Sequence, residues 1–300
     1  MEEIILQRKL EALGQNGTLI RKDGKTFLQL DCENAKELSM KWGEKLYPFT
    51  KTGKKWILEL PFSTAVNYVQ ICVDGQEVLS PDLPIAHGYC RPYNYIELPD
   101  EDGLFELRDV PHGTLTREFY KSKISDNWEK LIVYLPPCVP SAGLPVLYLQ
   151  HGFGESEISW STTGKVNLLM DNLIAAGKIK PFAIVMGNGM VKQRIDGELK
   201  LNRALYGQML VEEILPMIEK KYQFGGSKEK RGMAGLSMGS VQTTRTICAH
   251  PELFSEVGIF SGFLRDRIVG DEEHDGIVPK SGGQSYLKAM DDAAFNTYFH

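Results

Sequence analysis

RGMAGLSMGSVQTTRTICAH, residues 231–250, decides how this chain is read. Its first half is a short apolar run with the look of a buried strand, and its second half has helical composition. Between them Gly235-Leu236-Ser237-Met238-Gly239 matches the pattern G-x-S-x-G. A strand that turns sharply into a helix there lifts the Ser237 hydroxyl above the sheet edge. Gly235 and Gly239 remove the side chains that would collide as the two elements cross. The bend also leaves Ser237 at a helix N-terminus, whose free N–H groups stabilise developing negative charge. Ser237 is thus a candidate nucleophile. With 29 glycines in the chain the pattern alone is weak, and the bland reading is a close-packed turn with a capping serine. The surrounding grammar favours the first.

Outward from that motif, strands alternate with helices. WEKLIVYL (128–135), PVLYLQHG (145–152), FAIVMGNG (182–189), RGMAGLS (231–237) and SEVGIFSG (255–262) read as strands. VNLLMDNLIAAG (166–177), LYGQMLVEEILPMIEKKY (205–222) and VQTTRTICAH (241–250) read as helices, with a kink expected at Pro216. Such alternation predicts an α/β fold, a mainly parallel sheet with helices on both faces. Before residue 99 the grammar differs. TFLQL (26–30), KWILEL (55–60) and YVQICVDG (68–75) are short period-two runs bounded by turn signals, which predicts a small all-β sandwich in front.

Composition excludes several classes. The 300 residues are 42% hydrophobic and 24% charged, ordinary for a globular protein, with a formal net charge of -5. Nothing reads as a phosphate-tracking basic stripe, so no nucleic-acid partner is expected. No window approaches the ~20 apolar residues of a membrane span. Cys32, Cys72, Cys90, Cys138 and Cys248 form no C-x-x-C pair, so no metal site or disulfide framework is expected, and each reads as a small core hydrophobe. No phosphate or dinucleotide fingerprint occurs, and no cofactor is expected. The acidic N-terminus does not read as a secretory signal, so a cytoplasmic location is the expectation.

GLSMGS, preceded by LYLQHGFGESEISW (147–160), resembles the esterase family of α/β-hydrolases that includes feruloyl esterases, acetylxylan esterases and the catalytic domain of enterochelin esterases. The resemblance implies acyl transfer to Ser237, with an oxyanion hole formed by the backbone N–H groups of Phe153 and Met238. His151, Gly152 and Gly154 would support that loop, His151 structurally rather than as a base. Trp160 either lines an acyl or leaving-group pocket or simply packs. LFELRDVPHGTLTREFYKSKISDNWEKLIVYLPP (104–137) resembles the entry segment of esterases that carry a leading immunoglobulin-like E-set domain, and His112 within it reads as structural. The organisation implied is a lead segment (1–17), an E-set β-sandwich (18–98), a linker (99–112) and an α/β-hydrolase esterase domain (113–300). Ser240 departs from the family, which usually has glycine there.

A serine esterase also needs a base and an acid, in the order Ser, Asp or Glu, His. After Ser237 the histidines are His250, His274 and His300. His250 lies thirteen residues along a helix, roughly 20 Å away, and is expected against the last-turn carbonyls. His274, among Asp271, Glu272, Glu273 and Asp275, reads as part of a solvated loop. AFNTYFH (294–300) reads as the start of a further strand. The family's acid and histidine follow that strand, so both are expected beyond His300, and the domain is expected to be incomplete at its C-terminus, poorly soluble and weakly active.

The substrate class that the resemblance implies is a feruloyl or acetyl ester of plant polysaccharide, a small ester or oligosaccharide. A catecholate-siderophore esterase is the alternative, and an inert glycan-binding or scaffold protein is a third reading. Trp42, Trp56, Tyr68, Tyr89, Tyr93 and Tyr95 of the leading domain are expected mainly in packing, with a sugar-stacking face as the other reading.

Overall fold

The computed structural model describes residues 3–5, 18–99 and 102–262. The chain divides into two compact units, Met1–Glu106 and Leu107–His300. That division falls within the stretch read as a linker, of which Asp100 and Glu101 lie outside the described residues.

The first unit holds two antiparallel sheets. One runs in the order Glu3–Ile5, Thr18–Lys22, Lys25–Asp31, Lys55–Glu59, Thr50–Thr52. The other runs Ile85–Gly88, Arg91–Leu98, Ala65–Val73, Leu38–Trp42, Lys45–Pro48, with Gln76–Val78 beside Ala65–Val73. Period-two alternation sends Leu28, Leu30 and Leu58 from one sheet and Leu38, Met40, Val69, Ile71 and Ile96 from the other into a single core. Trp56 and Tyr95 are buried and Trp42 packs on the core, whereas Tyr89 is 71% exposed.

The second unit is built on one six-stranded sheet in the order Thr114–Lys121, Trp128–Leu135, Ala183–Gly187, Val146–Gln150, Arg231–Leu236, Glu256–Phe260. The first two strands are antiparallel and the remaining four run parallel. Alternate residues feed opposite faces. Leu131, Val133, Tyr148, Val185 and Met233 join the cluster under the helical stretches 205–222 and Met238–Ala249. Ile132, Tyr134, Leu149, Ile184 and Ala234 join a second cluster under the helix Val166–Ala175. This is the expected α/β-hydrolase arrangement, with helices on both faces.

Two local features were not anticipated. Lys192–Ile195 and Glu198–Leu201 form a hairpin around Asp196-Gly197, a stretch to which the sequence analysis assigns no element. The kink expected at Pro216 is a π-helical turn, Leu210–Ile214, ahead of Leu215–Tyr222. Proline has no N–H to give the preceding turn, and a wider turn absorbs the loss. The cysteines are free, but Cys90 and Cys138 are exposed rather than in the core. Both occupy left-handed turn positions, φ 64° and 62°, which the surface accommodates.

Candidate active site

The strand Arg231–Leu236 ends at Ser237, and the helix Met238–Ala249 begins at the next residue. Ser237 has φ 51° and ψ −110°, a conformation that L-residues rarely adopt and that the crossing elements impose. A Cβ on Gly235 would strike the carbonyl of Gly239. One on Gly239 would lie 2.7 Å from the His151 carbonyl oxygen and 2.8 Å from Gln150 Cβ. Both glycines are thus demanded by contact, as the sequence pattern implied. Ser237 is half-buried, and its Oγ bonds to nothing among the described residues. Ser240, in place of the family's glycine, is buried and donates its hydroxyl to the Ser237 carbonyl at 2.6 Å.

The neighbouring parallel strand delivers the second half of the site. Its register pairs Gln150 with Gly235, so the loop from His151 opens beside Ser237. Gly152-Phe153-Gly154-Glu155 forms a turn closed by the Glu155 N–H on the Gly152 carbonyl at 3.4 Å, with Gly154 at φ 76°, where glycine is favoured. The amides of this turn are not equivalent. Gly152 N–H donates to Glu155 Oε2 at 2.8 Å, and Gly154 N–H to Met190 Sδ at 3.5 Å. Phe153 N–H has no acceptor among the described residues, nor has Met238 N–H at the first position of the helix. These two amides are the ones that sequence reasoning put forward.

His151 is 1% exposed. Its Nε2 accepts the Gly189 N–H at 2.9 Å, so the ring proton sits on Nδ1 and is donated to the Gly152 carbonyl at 2.7 Å. Burial holds its pKa below the ordinary value, and the ring is neutral. It ties the loop to the end of the strand Ala183–Gly187, with both nitrogens occupied by backbone. Trp160 donates Nε1–H to the Gln150 carbonyl at 2.9 Å and lies 6.0 Å from the Phe260 ring, placing it at the same sheet edge with its polar end engaged. Phe153 turns its side chain outward beneath the Arg203 guanidinium, 5.0 Å from the ring centroid. Sequence reasoning missed Glu155, whose half-buried carboxyl has a raised pKa because partial burial disfavours its charge.

Two other histidines are placed away from this edge. His112 Nδ1 and Asp171 Oδ2 are 2.9 Å apart, and its Nε2 donates to the Arg108 carbonyl. The strand it precedes pairs Thr114 with Leu135, at the end of the sheet where Ala183–Gly187 begins, opposite the carboxyl ends that carry Ser237. Tyr134 and the Gly113 N–H also bond Asp171, so this is a structural knot. His250 caps its helix with its backbone N–H on the Thr246 carbonyl, and its ring faces Glu252 at 3.5 Å instead of the carbonyls. His274, His300 and the acids Asp271, Glu272, Glu273 and Asp275 lie outside the described residues. Among the described residues no cluster of acidic, Cys or His side chains could hold a metal, and no helix is long and apolar enough to cross a membrane.

With strand, bend and facing loop in hand, the family follows. Residues 122–297 match the family model described as "Putative esterase". The chain belongs to this esterase family. A curated relative from Xylanibacter ruminicola, an endo-1,4-beta-xylanase/feruloyl esterase, is 32% identical over 264 residues, which is 83% of this chain. The chain spans only 36% of that relative's length. A solved ferulic acid esterase is 27% identical with a TM-score of 0.51, covering 63% of this chain and 75% of its own. An enterobactin esterase from Shigella flexneri, 11% identical, has a TM-score of 0.62 and covers 99% of this chain and 89% of its own, which shows the shared fold.

Proposed function

We propose that this esterase is a serine carboxylesterase that removes feruloyl or acetyl groups from plant polysaccharide through an acyl-enzyme on Ser237. The observation that carries the reading is the bend at Ser237, φ 51° and ψ −110°, with an unengaged hydroxyl beside two unengaged amides. Ser237 Oγ attacks the ester carbonyl and the carbonyl oxygen becomes an oxyanion. The N–H groups of Phe153 and Met238 receive that charge, one from the loop and one from the helix N-terminus. Fixed backbone donors suit this role because nothing must reorganise as the charge develops. The alcohol leaves, and water cleaves the acyl-enzyme to the free acid. The base that takes the Oγ proton and the acid that orients it are assigned to none of the described residues.

The names of the 32% and 27% identical relatives support a feruloyl ester as the substrate. The enterobactin esterase matches nearly the whole chain in fold, and that match makes a catecholate ester the comparison substrate. Methyl ferulate, acetylated xylo-oligosaccharides and ferric enterobactin, assayed side by side, test the reading. Hydrolysis of the first two, lost in Ser237→Ala, is expected. Cleavage of ferric enterobactin alone, or activity that survives Ser237→Ala, would overturn it.

A further inference from the structure

His112 differs from His151 in what its two nitrogens face. His151 accepts at one nitrogen and donates at the other, which a neutral ring satisfies. His112 faces an acceptor at both. Its Nδ1 lies 2.9 Å from Asp171 Oδ2 and its Nε2 lies 3.0 Å from the Arg108 carbonyl oxygen. Asp171 is 1% exposed, and its other oxygen accepts from Gly113 N–H at 3.0 Å and from the Tyr134 hydroxyl at 2.6 Å. Burial, and then the bond to Asp171, raise the pKa of Tyr134, so its hydroxyl stays a donor. A carboxyl that takes two donors on one oxygen is held ionised and has no proton to offer the ring. Both nitrogens of His112 must therefore carry protons for both contacts to be hydrogen bonds. The ring in this geometry is an imidazolium.

The chain is held differently on the two sides of this ring. Gly113 is fixed whatever the charge of His112. A Cβ there would lie 2.3 Å from the Leu135 carbonyl oxygen and 2.5 Å from the Tyr134 ring, and its N–H is taken by Asp171. From Thr114 onward each residue pairs with the strand Trp128–Leu135. Residues 107–111 belong to no helix or strand, and Leu107 is 71% exposed. The bond between Val110 N–H and the Arg108 carbonyl, at 3.0 Å, stays within that segment. The Nε2–H of His112 reaches the same carbonyl from outside, and through Asp171 it ties the segment to the helix Val166–Ala175.

We infer that His112 is a pH-sensitive latch: its imidazolium fastens the segment 107–111 to the second unit, and loss of the Nε2 proton to solvent frees that segment. The proton must leave from Nε2, because Nδ1–H faces the buried carboxylate. The bare Nε2 lone pair then opposes the lone pairs of the Arg108 carbonyl, and the contact turns repulsive. The His112 side chain is 37% exposed, so solvent can take the proton without unfolding. The charged and titratable groups gathered at the ring are Asp171 from the helix, Tyr134 from the strand, and Arg108 and Asp109 from the segment itself. The hydrogen bond to Asp171, opposed by desolvation and helped by the Arg108 carbonyl, raises the His112 pKa. A raised folded value means that the latch is fully closed below the ordinary histidine value and opens as pH climbs through the folded one. The segment lies beside the division of the chain near residue 106, so the latch sets how much free chain joins the two units. The device uses nothing of Ser237.

Chymotrypsin cutting at Phe105 and Leu107 reads the latch, because a protease needs several residues on either side of the bond to be freed. Full-length protein is digested between pH 6 and 9, with each rate divided by that of a free peptide of residues 102–112. The normalised rate should rise about fivefold across this range, the size for loss of one charge-assisted hydrogen bond at a partly exposed site. His112→Gln has no titrating group and should give a flat profile. Nitrogen NMR of the ring, assigned by its disappearance in His112→Gln, should show N–H at both nitrogens below a midpoint above about pH 6.5, the ordinary histidine value. Above that midpoint N–H should remain at Nδ1 alone. A normalised rate that ignores pH, the same rise in His112→Gln, or a midpoint at or below the ordinary value would each overturn the inference.

Discussion

Ser237 holds its backbone at φ 51° and ψ −110° because strand and helix must cross within one residue. Glycine adopts that region without a Cβ penalty, whereas alanine shares the penalty of serine. Ser237→Gly should therefore raise stability by about 1 kcal/mol, with Ser237→Ala close to the parent. Thermal unfolding of the three proteins checks this. Glu155 raises a second question of strain, now electrostatic. Its carboxyl is drawn into the loop by the Gly152 N–H, yet burial raises its pKa. A carboxyl whose folded pKa is raised favours the folded state while protonated, and that contribution is lost as pH climbs through the folded value. Glu155→Gln keeps an acceptor for Gly152 and cannot ionise. It should be more stable than the parent at neutral pH, with the difference vanishing below about pH 4.3, the ordinary glutamate value. Urea midpoints from pH 4 to 8 would test the sign, and a difference constant with pH would refute it.

The elements of the second unit are fastened at the sheet edge away from Ser237 by one ionic staple. Arg231, which opens the strand that leads to Ser237, holds Glu219 with both Nε and Nη2, at 2.6 and 2.8 Å. Glu219, on the helix Leu215–Tyr222, also accepts from the buried Tyr148 hydroxyl at 3.0 Å and from Gly226 N–H at 2.9 Å. Helix, two strands and a connecting turn thus meet at one carboxylate. The Arg231 and Glu219 side chains are 15% and 11% exposed, so removing one partner strands the other out of water. Glu219→Ala is expected to cost about 3–5 kcal/mol, measured by urea denaturation. The helices themselves were readable from apolar period, but this staple was not. Arg231 and Glu219 lie on different elements, and in the sequence each looks like an ordinary surface charge. Nor did the sequence reveal the hairpin at 192–201, whose side chains are largely exposed and carry no core-facing alternation.

At the scale of the molecule, the two units keep separate cores. Each buried cluster draws its residues from one side of the division near residue 106. Phe105 and Leu107 flank that division and are 36% and 71% exposed. Brief chymotrypsin digestion should cut there first and release two fragments, each with its own cooperative unfolding transition. Digestion that begins inside either sheet, or fragments without a transition, would count against two independent cores.

The G-x-S-x-G bend, the strand–helix alternation and the leading β-rich segment were all determined by the sequence alone. Each is a local matter: apolar period sets which face is buried, and two glycines are compulsory where two backbones touch. Only the tertiary structure decided which acceptors take the Gly152 and Gly154 amides, that both His151 nitrogens are bound to backbone, and that the His112–Asp171 pair sits at the end of the sheet away from Ser237. The contacts of Gly154 with Met190, His151 with Gly189 and His112 with Asp171 join partners dozens of residues apart, brought together by strand register and by the competition of every buried polar group for a hydrogen bond. No period or spacing in one chain records that competition.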